Sequence, residues 1–185
     1  MPKLNIRPLQ ADDVSQLDEL LHKVGIFHPF EIIVAMELIH EALKGSDDYH
    51  ILIAEWLPSE SRLLAPDSTS TPPDSRLLTP ESRFKKPVVG YVCYGHNPMT
   101  DSLYDLYWIA VHPKAQGAGV GRALIAHIED EVRKAKGRGI ILETSGRAEY
   151  EPAKKLYLAC GYTLAAEIPD FYKPGDPRLI FLKLL

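Results

Sequence analysis

A glycine-rich turn between an apolar stretch and an amphipathic helix is the feature that most restricts the fold of this chain. Residues 116–124 read QGAGVGRAL, and the apolar stretch LYDLYWIAV precedes them at 103–111. Fixing a glycine costs backbone entropy, so glycines at alternate positions suit a place where another group approaches the backbone closely. The first N–H groups of a helix lack helical partners and often bind phosphate. The stretch therefore predicts a strand, a phosphate-binding loop and a helix in succession.

Three kinds of phosphate-binding turn could explain these glycines. A P-loop requires GxxxxGK[ST], and no Lys-Ser or Lys-Thr pair follows these glycines. A dinucleotide-binding turn requires GxGxxG directly after its strand, whereas here the glycines read GxGxG and begin several residues after Val111. The third pattern, Q/R-x-x-G-x-G/A, is matched in full by residues 116–121. A tight turn without a ligand is the plainer alternative.

The spacing of apolar residues predicts the other elements. The predicted order is strand, two helices, three strands, helix, strand, helix and two strands, with strands at 3–9, 49–56, 87–95, 103–111, 140–144, 162–168 and 178–184. The nearly continuous apolar run at 140–144 is typical of a strand covered on both faces. A chain of 185 residues suits one domain. We therefore predict a single mixed α/β domain over residues 1–185.

A low-complexity segment interrupts the predicted hairpin at 57–86. It is rich in Pro, Ser, Thr and Asp, and it repeats SRLLAPDS at 61–68 as SRLLTPES at 75–82. Surface loops tolerate long insertions at small entropic cost. We expect a duplicated, largely disordered insertion. The alternative is a tethered ligand for a partner, with each RLL as a short anchor.

Composition excludes several functional classes. The net charge is −4 and the pI is about 6.0, so no general basic surface for nucleic acid is expected. No apolar run is long enough to span a bilayer, and the first residues do not form a signal peptide. We therefore expect a cytoplasmic protein without membrane partners. Cys93 and Cys160 do not form a CxxC pair and are expected to pack as small thiols, with no metal bound.

Two motifs in this order resemble the GNAT superfamily of N-acetyltransferases. WIAVHPKAQGAGVGRALI at 108–125 resembles the strand, loop and helix of that family, including its V-x-P-x-x-Q lead-in. AKKLYLACGY at 153–162 resembles its later A-x-x-L-Y-x-x-x-G-F/Y helix. The resemblance implies an α/β, α+β-like fold: a central, mostly antiparallel sheet of about seven strands with a splayed strand pair, flanked by about four helices.

The resemblance also implies acetyl-CoA as co-substrate. Its pyrophosphate would lie on the helix start, and its pantetheine arm would pair with backbone groups of Ile109 and Val111. Tyr150 stands where many members carry an asparagine that bonds the pantetheine, so that contact is lost or replaced here. Arg122 alternatively is a solvated surface arginine. The loop residues assigned to the pyrophosphate are Gln116, Gly117, Ala118, Gly119, Val120, Gly121 and Arg122.

Three residues are candidates for proton transfer. Tyr157 matches the family tyrosine that points at the coenzyme sulfur and would be the general acid; alternatively it is a core tyrosine. Asp105 falls where histone-type members carry a glutamate base, and strand alternation puts it on one face with Tyr107 and Ile109. Alternatively, Asp105 is a carboxylate held in a salt bridge. Glu143 is the second candidate base, because a charge on a covered strand is expensive unless paired or functional. His112 is interpreted as a loop residue.

The acceptor site is expected between the first two helices and the last strands. Acidic groups beside aromatic walls suit a cationic amine, although capping aspartates in a proline-rich hairpin explain the second segment equally well. The acceptor would be a small-molecule or protein amine, and a homodimer is left open. The residues assigned to acceptor binding are Phe27, Phe30, Tyr107, Asp170 and Tyr172.

The sequence supports two main functional hypotheses. The first is an N-acetyltransferase that moves an acetyl group from acetyl-CoA to a primary amine by direct attack in a ternary complex. The second is a non-catalytic acyl-CoA-sensing or protein-binding module on the same fold. A nucleotide-binding domain of another fold is a weaker third hypothesis.

Overall fold

A computed structural model describes residues 3–57 and 86–185. The predicted insertion at 57–86 lies almost entirely outside the described residues. The strands are β1 (Lys3–Pro8), β2 (His50–Leu57), β3 (Val88–His96), β4 (Leu103–Val111), β5 (Gly139–Ser145), β6 (Thr163–Lys173) and β7 (Asp176–Leu184). The helices are α1 (Val14–Val24), α2 (Pro29–Leu43), α3 (Val120–Lys134) and α4 (Glu151–Ala159).

The described strands form one sheet in the order β1-β2-β3-β4-β5-β7-β6. Only β4 and β5 run parallel in it, and every other neighbouring pair is antiparallel. The predicted order of elements and the mostly antiparallel sheet are therefore confirmed. Strand β6 runs five residues beyond its predicted end, through Pro169 and Asp170 to Lys173.

Helices α1 and α3 bury apolar residues at helical spacing. Leu17, Leu20 and Leu21 of α1 are fully buried, and Gly25 ends that helix with a φ of 75°, a conformation that suits glycine. Helix α2 begins with Pro29 at its first turn, where the missing N–H costs nothing. The buried face of α3 carries Val120, Leu124, Ile125, Ile128 and Val132.

Two cores lie on opposite faces of the sheet. The larger core packs α3 and Tyr157 of α4 against one face, and the smaller packs α1 and α2 against the other face. Helix α1 contacts β3 and β4, and α2 contacts β2. In β5, Ile140 and Leu142 are buried in the larger core, whereas Ile141 is half-buried and belongs to neither core. The expectation that β5 is covered on both faces is therefore wrong for the part of the chain that the structure describes.

A buried ionic network ties β1 to β2 and to the turn before α1. The Arg7 guanidinium pairs with Asp13 at 2.7 Å and with Glu55 at 2.9 Å, and the side chains of both carboxylates are almost fully buried. Glu55 also accepts hydrogen bonds from Asn5 and Lys86. Burial raises the pKa of Glu55, but the bonds from Asn5 and Arg7 outweigh burial and hold it below its ordinary value of 4.5.

Arg7→Met should lower the free energy of unfolding by about 3–5 kcal/mol at pH 7, because it leaves buried carboxylates without their guanidinium. Denaturant unfolding measures the effect. Lys23→Met is the control: its pair with Glu19 is exposed, so its loss should barely change the free energy of unfolding. A carboxylate with a lowered pKa stabilises the fold above its ordinary pKa and loses that contribution as pH falls. The free energies of unfolding of Arg7→Met and wild type should therefore differ less below pH 4.5 than at pH 7. A difference that does not change with pH would contradict this account.

Candidate active site

Strands β4 and β5 separate halfway along their length. They pair in parallel only over Leu103–Leu106 and Gly139–Leu142, although β4 continues to Val111 and β5 to Ser145. On the other side of β4, Cys93 pairs with Trp108 and Tyr94 with Leu106, so Tyr107 is an extra residue in β4. Such a bulge bends its strand and re-aims the side chains beyond it. Backbone groups of β4 beyond Leu106 thus border an open cleft instead of a neighbouring strand.

The bulge corrects one prediction about Asp105. Leu106 and Ile109 both pack in the larger core, so alternation is broken between them. Asp105 therefore lies on the opposite face from Ile109 and not, as predicted, on the same face. Its carboxylate accepts a hydrogen bond from Asn97 at 3.1 Å, and it is not among the residues that line the cleft.

The glycine loop leads from the end of β4 to the start of α3. Gly117 and Gly119 have φ of 75° and 83°, and a Cβ built on either would meet nothing within 4 Å. The first backbone bond of α3 runs from the Ala123 N–H to the Gly119 oxygen at 3.0 Å. The N–H groups of Val120, Gly121 and Arg122 precede that bond, as at any helix start. The loop therefore presents helix N–H groups beside open space, which suits an anion.

Gly121 has a different reason to be glycine. A Cβ at this position would lie 2.8 Å from Cδ2 of Leu156, so the absence of a side chain lets α3 approach α4. Gln116 contributes its side chain, which donates to the Val111 oxygen at 3.3 Å. Arg122 is exposed at the first turn of α3.

The cleft between the separated strands has a volume of about 410 Å³. It is bordered by the α1–α2 corner, the diverging parts of β4 and β5, the start of α4 and the β6–β7 hairpin. The structure brings together here eight of the residues predicted for the site, namely Phe27, Phe30, Tyr107, Ile109, Glu143, Tyr150, Tyr157 and Tyr172. Asp105 and Asp170 are not among its lining residues.

Tyr157 forms part of the cleft wall contributed by α4. Its side chain is 4% exposed and packs beside the rings of Tyr162 and Phe181. Burial raises the pKa of Tyr157 well above its ordinary value of 10, with a smaller contribution from Tyr150. The phenol therefore keeps its proton at neutral pH.

Two carboxylates of the cleft are held by arginines. Glu143 pairs with Arg178 across the β5–β7 pair. Asp176 accepts a hydrogen bond from the Ser145 hydroxyl at 2.5 Å and lies 3.4 Å from Nε of Arg147. Each of these two carboxylates therefore lines the cleft beside an arginine that offsets its charge.

Asp170 lies in the irregular last part of β6, between Ile168 and Lys173, where the pairing with β7 shifts. It has a φ of 52°, and its side chain accepts a hydrogen bond from the Gly175 N–H at 2.6 Å. This geometry is that of a capping aspartate, the alternative that the sequence left open for this segment.

Aromatic rings form the outer wall of the cleft. Phe27 packs edge-on against Trp108 with ring centroids 5.2 Å apart, and Phe30 is 64% exposed. Tyr107 contacts Tyr49, and its pKa rises to about 12 because of burial and then of Asp105. Tyr172 is half exposed at the opposite side.

Sequence reasoning missed several polar residues of the cleft. Glu31 lines it and accepts a hydrogen bond from the His28 N–H at 2.6 Å, in the capping box of α2. Burial and then Glu31 raise the pKa of Tyr150. Arg147 also lines the cleft and lies over the Tyr150 ring. Glu31 carried a capping-box signal, but nothing local to Arg147 predicted its position.

Comparison with known proteins agrees with this geometry. The sequence profile of the acetyltransferase (GNAT) domain matches residues 81–164. The uncharacterized N-acetyltransferase YsnE of Bacillus subtilis (strain 168) is 33% identical over 64 residues, which span 35% of this chain and 41% of that relative.

Solved structures match the chain over its whole length. An acetyltransferase of the GNAT family from Desulfovibrio desulfuricans is 30% identical with a TM-score of 0.79, over 98% of this chain and 99% of that one. NAA60 of Arabidopsis thaliana in complex with acetyl-CoA is 17% identical with a TM-score of 0.67, over 99% of both chains.

The chain therefore belongs to the GNAT family of acetyltransferases. This confirms the resemblance, the fold class and the enzyme class predicted from the sequence. In residues 3–57 and 86–185, no helix is long and apolar enough to cross a membrane. The same residues contain no group of three or more His, Cys, Asp or Glu side chains placed to hold a metal ion.

Gly119→Val should weaken coenzyme A binding at least tenfold, because it forces a branched side chain into a left-handed conformation beside the helix N–H groups. Gly45→Val is the matched control: Gly45 has a φ of 85° and equally open surroundings but lies after α2. Both variants should lose about 1–2 kcal/mol of stability. Calorimetric titration with coenzyme A and thermal unfolding separate the two effects. Equal affinities in the two variants would remove Gly119 from the binding loop.

Proposed function

We propose that the protein transfers the acetyl group of acetyl-CoA to a primary amine by direct attack within a ternary complex. The observation that carries this proposal is the separation of β4 from β5 after Leu106, which opens a cleft lined by Ile109, Glu143 and Tyr157. The cleft is bordered by aromatic and acidic side chains that suit an amine.

The chain has groups that fit acetyl-CoA. The N–H groups at the start of α3 and the open space at Gly117 and Gly119 suit the pyrophosphate, and Arg122 adds a positive charge there. Backbone groups of Ile109 and Val111 face the separation from β5 and suit the amide-bearing pantetheine arm. When bound, acetyl-CoA supplies the thioester carbonyl that the amine attacks. The acetyl-CoA complex of Arabidopsis NAA60, which shares this fold, supports this co-substrate.

Tyr157 would donate a proton to the departing thiolate. Its phenol is protonated at neutral pH, and a position in the cleft wall is compatible with proton donation to a group bound there. A tyrosine hydroxyl in the cleft wall suits proton donation to the departing thiolate, which supports the enzyme over the acyl-CoA-sensing or protein-binding alternative.

Glu143 would accept the proton of the amine, directly or through water. It lines the cleft, whereas Asp105 is bonded to Asn97 and lies off the cleft lining. The pair with Arg178 favours the ionised carboxylate, which is the form that accepts a proton. An arriving ammonium group would compete with Arg178 for the same carboxylate.

The acceptor would enter between the α1–α2 corner and the β6–β7 hairpin. Phe27, Phe30 and Tyr172 provide apolar walls there, and Glu31 provides a negative charge on the side of α2. These groups are equally compatible with the amine of a small molecule and with the amine of a protein. Of the residues predicted for acceptor binding, Tyr107 lines the cleft as the bulge residue of β4, whereas Asp170 lies outside the cleft lining and bonds the Gly175 N–H.

Tyr157→Phe should lower turnover by about 10²–10⁴-fold, the usual contribution of one acid–base group. Coenzyme A affinity should barely change, because the lost interaction matters mainly as charge develops on sulfur. A screen of amine acceptors with acetyl-CoA, reading free thiol release, first identifies the acceptor for this measurement.

Tyr162→Phe is the control for Tyr157→Phe. Tyr162 packs against Tyr157 in the same core but does not line the cleft. Removal of its hydroxyl should leave turnover within about threefold. Full turnover in Tyr157→Phe would leave water or the substrate itself as the proton donor.

Glu143→Gln should reduce kcat/KM by about 10²-fold and should remove the acidic limb of its pH profile, since an amide cannot accept the proton. Asp105→Asn, on the neighbouring strand, should have the smaller effect. A larger loss in Asp105→Asn than in Glu143→Gln would reverse the assignment of the base.

A further inference from the structure

Arg147 lines the cleft but has no role in the proposed acetyl transfer. It follows the end of β5, and 21% of its side chain is exposed. Its Nε donates to the Ser145 hydroxyl at 3.3 Å and lies 3.4 Å from the Asp176 carboxylate. Ser145 and Asp176 are both buried, so they hold this edge of the guanidinium in place. Both contacts are made by Nε, which leaves the two Nη groups to bond a ligand.

A second cation, Lys173, lines the same side of the cleft. The register of the β6–β7 hairpin places Lys173 opposite Asp176, the residue that Arg147 contacts. Among residues 3–57 and 86–185, Lys173 has no ion-pair partner. Two cations therefore stand beside one carboxylate here, so the hairpin side of the cleft has an unbalanced positive charge.

The α2 side of the cleft has an unbalanced negative charge. The Glu31 carboxylate lines it and accepts a hydrogen bond from the uncharged backbone N–H of His28. Glu143, farther along β5, is balanced by Arg178. Tyr150 is influenced from both sides, because Glu31 raises its pKa and Arg147 lowers it. The cleft thus presents both signs of charge, which fits a ligand that carries both.

We propose that the acceptor is an amino acid, whose carboxylate binds Arg147 and Lys173 while its amine is directed to Glu143. This proposal rests on the proposed acetyl transfer and names its substrate class. A guanidinium donates parallel hydrogen bonds to a carboxylate, and a lysine adds a point charge. Burial keeps the Tyr150 phenol protonated, so it can donate to the same carboxylate. A simple alkyl amine would leave the positive side of the cleft without a partner.

The spacing along β5 suits an α-amino acid. Glu143 and Ser145 are two strand residues apart, which corresponds to about 7 Å, and Arg147 bonds the Ser145 hydroxyl. An α-amino acid with a hydrogen bond at each end spans about 9 Å. Its side chain would meet the apolar walls formed by Phe27 and Phe30.

Matched acceptors test this proposal: L-leucine, L-methionine and L-phenylalanine, each compared with its own carboxamide. The measured quantity is the ratio of kcat/KM for the acid to kcat/KM for the carboxamide, read by thiol release from acetyl-CoA. Arg147→Gln should lower this ratio about tenfold or more relative to wild type, through a higher KM for the acid. Comparison with wild type cancels the different basicities of the two amines.

Arg133→Gln is the control for Arg147→Gln. It makes the same substitution at an exposed arginine of α3 that does not line the cleft. The ratio in this variant should equal that of wild type. If Arg147→Gln does not fold, Arg147→Lys keeps a cation beside Asp176 but loses the paired donors. Its ratio should still fall about threefold or more and is read in the same way.

Three results would overturn the proposal. An arginine that only offsets Asp176 would affect acid and carboxamide equally, so an unchanged ratio in the folded variant is the first. The second is wild-type turnover of carboxamides, alkyl amines or peptides without turnover of any amino acid, which leaves the proposed acetyl transfer intact. The third is no thiol release with any of these amines, which would overturn the proposed function as well.

Discussion

The extra residue at Tyr107 is the constraint on which the site depends. A regular β4 would keep pairing with β5 to its end, and the sheet would close over the space that forms the cleft. The bulge bends the strand after Leu106, so its following backbone groups border open space. It also exchanges the two faces of the strand: Trp108 packs in the smaller core and Ile109 in the larger. One inserted residue therefore creates the cleft and decides which side chains line it.

The order of elements could be predicted from the sequence because each helix and most strands show their own period. The end of β6 could not be predicted from the sequence. Pro169 and Asp170 interrupt the apolar pattern, but the strand continues through them. The bulge could not be predicted either: residues on both sides of Tyr107 are apolar or aromatic, so no change of polarity marks the change of face. That is why alternation misplaced Asp105 relative to Ile109.

The candidate site likewise contains residues that could be predicted from the sequence and residues that could not. Tyr157 and the glycine loop belong to local motifs whose spacing is visible in the sequence, and the structure places Tyr157 in the cleft wall. Glu31 and Arg147 come from distant segments that only the tertiary fold brings to the cleft. The three glycines of the loop have two different roles. Gly117 and Gly119 adopt left-handed backbone conformations, whereas Gly121 allows two helices to touch. A sequence pattern shows that glycine is required but not for which of these reasons.

The two cores support different walls of the cleft. Tyr157, Ile109 and Ala153 pack with the larger core, whereas Phe27 and Trp108 pack with the smaller core. Strand β3, buried along nearly its whole length, lies between these two cores. The wall proposed for the coenzyme and the wall proposed for the acceptor are thus supported by different hydrophobic cores. Substitutions beneath α1 and α2 can reshape the acceptor wall while the coenzyme wall keeps its packing. In evolutionary terms, the wall proposed for the acceptor can vary without rebuilding the half of the molecule proposed to hold the acyl donor.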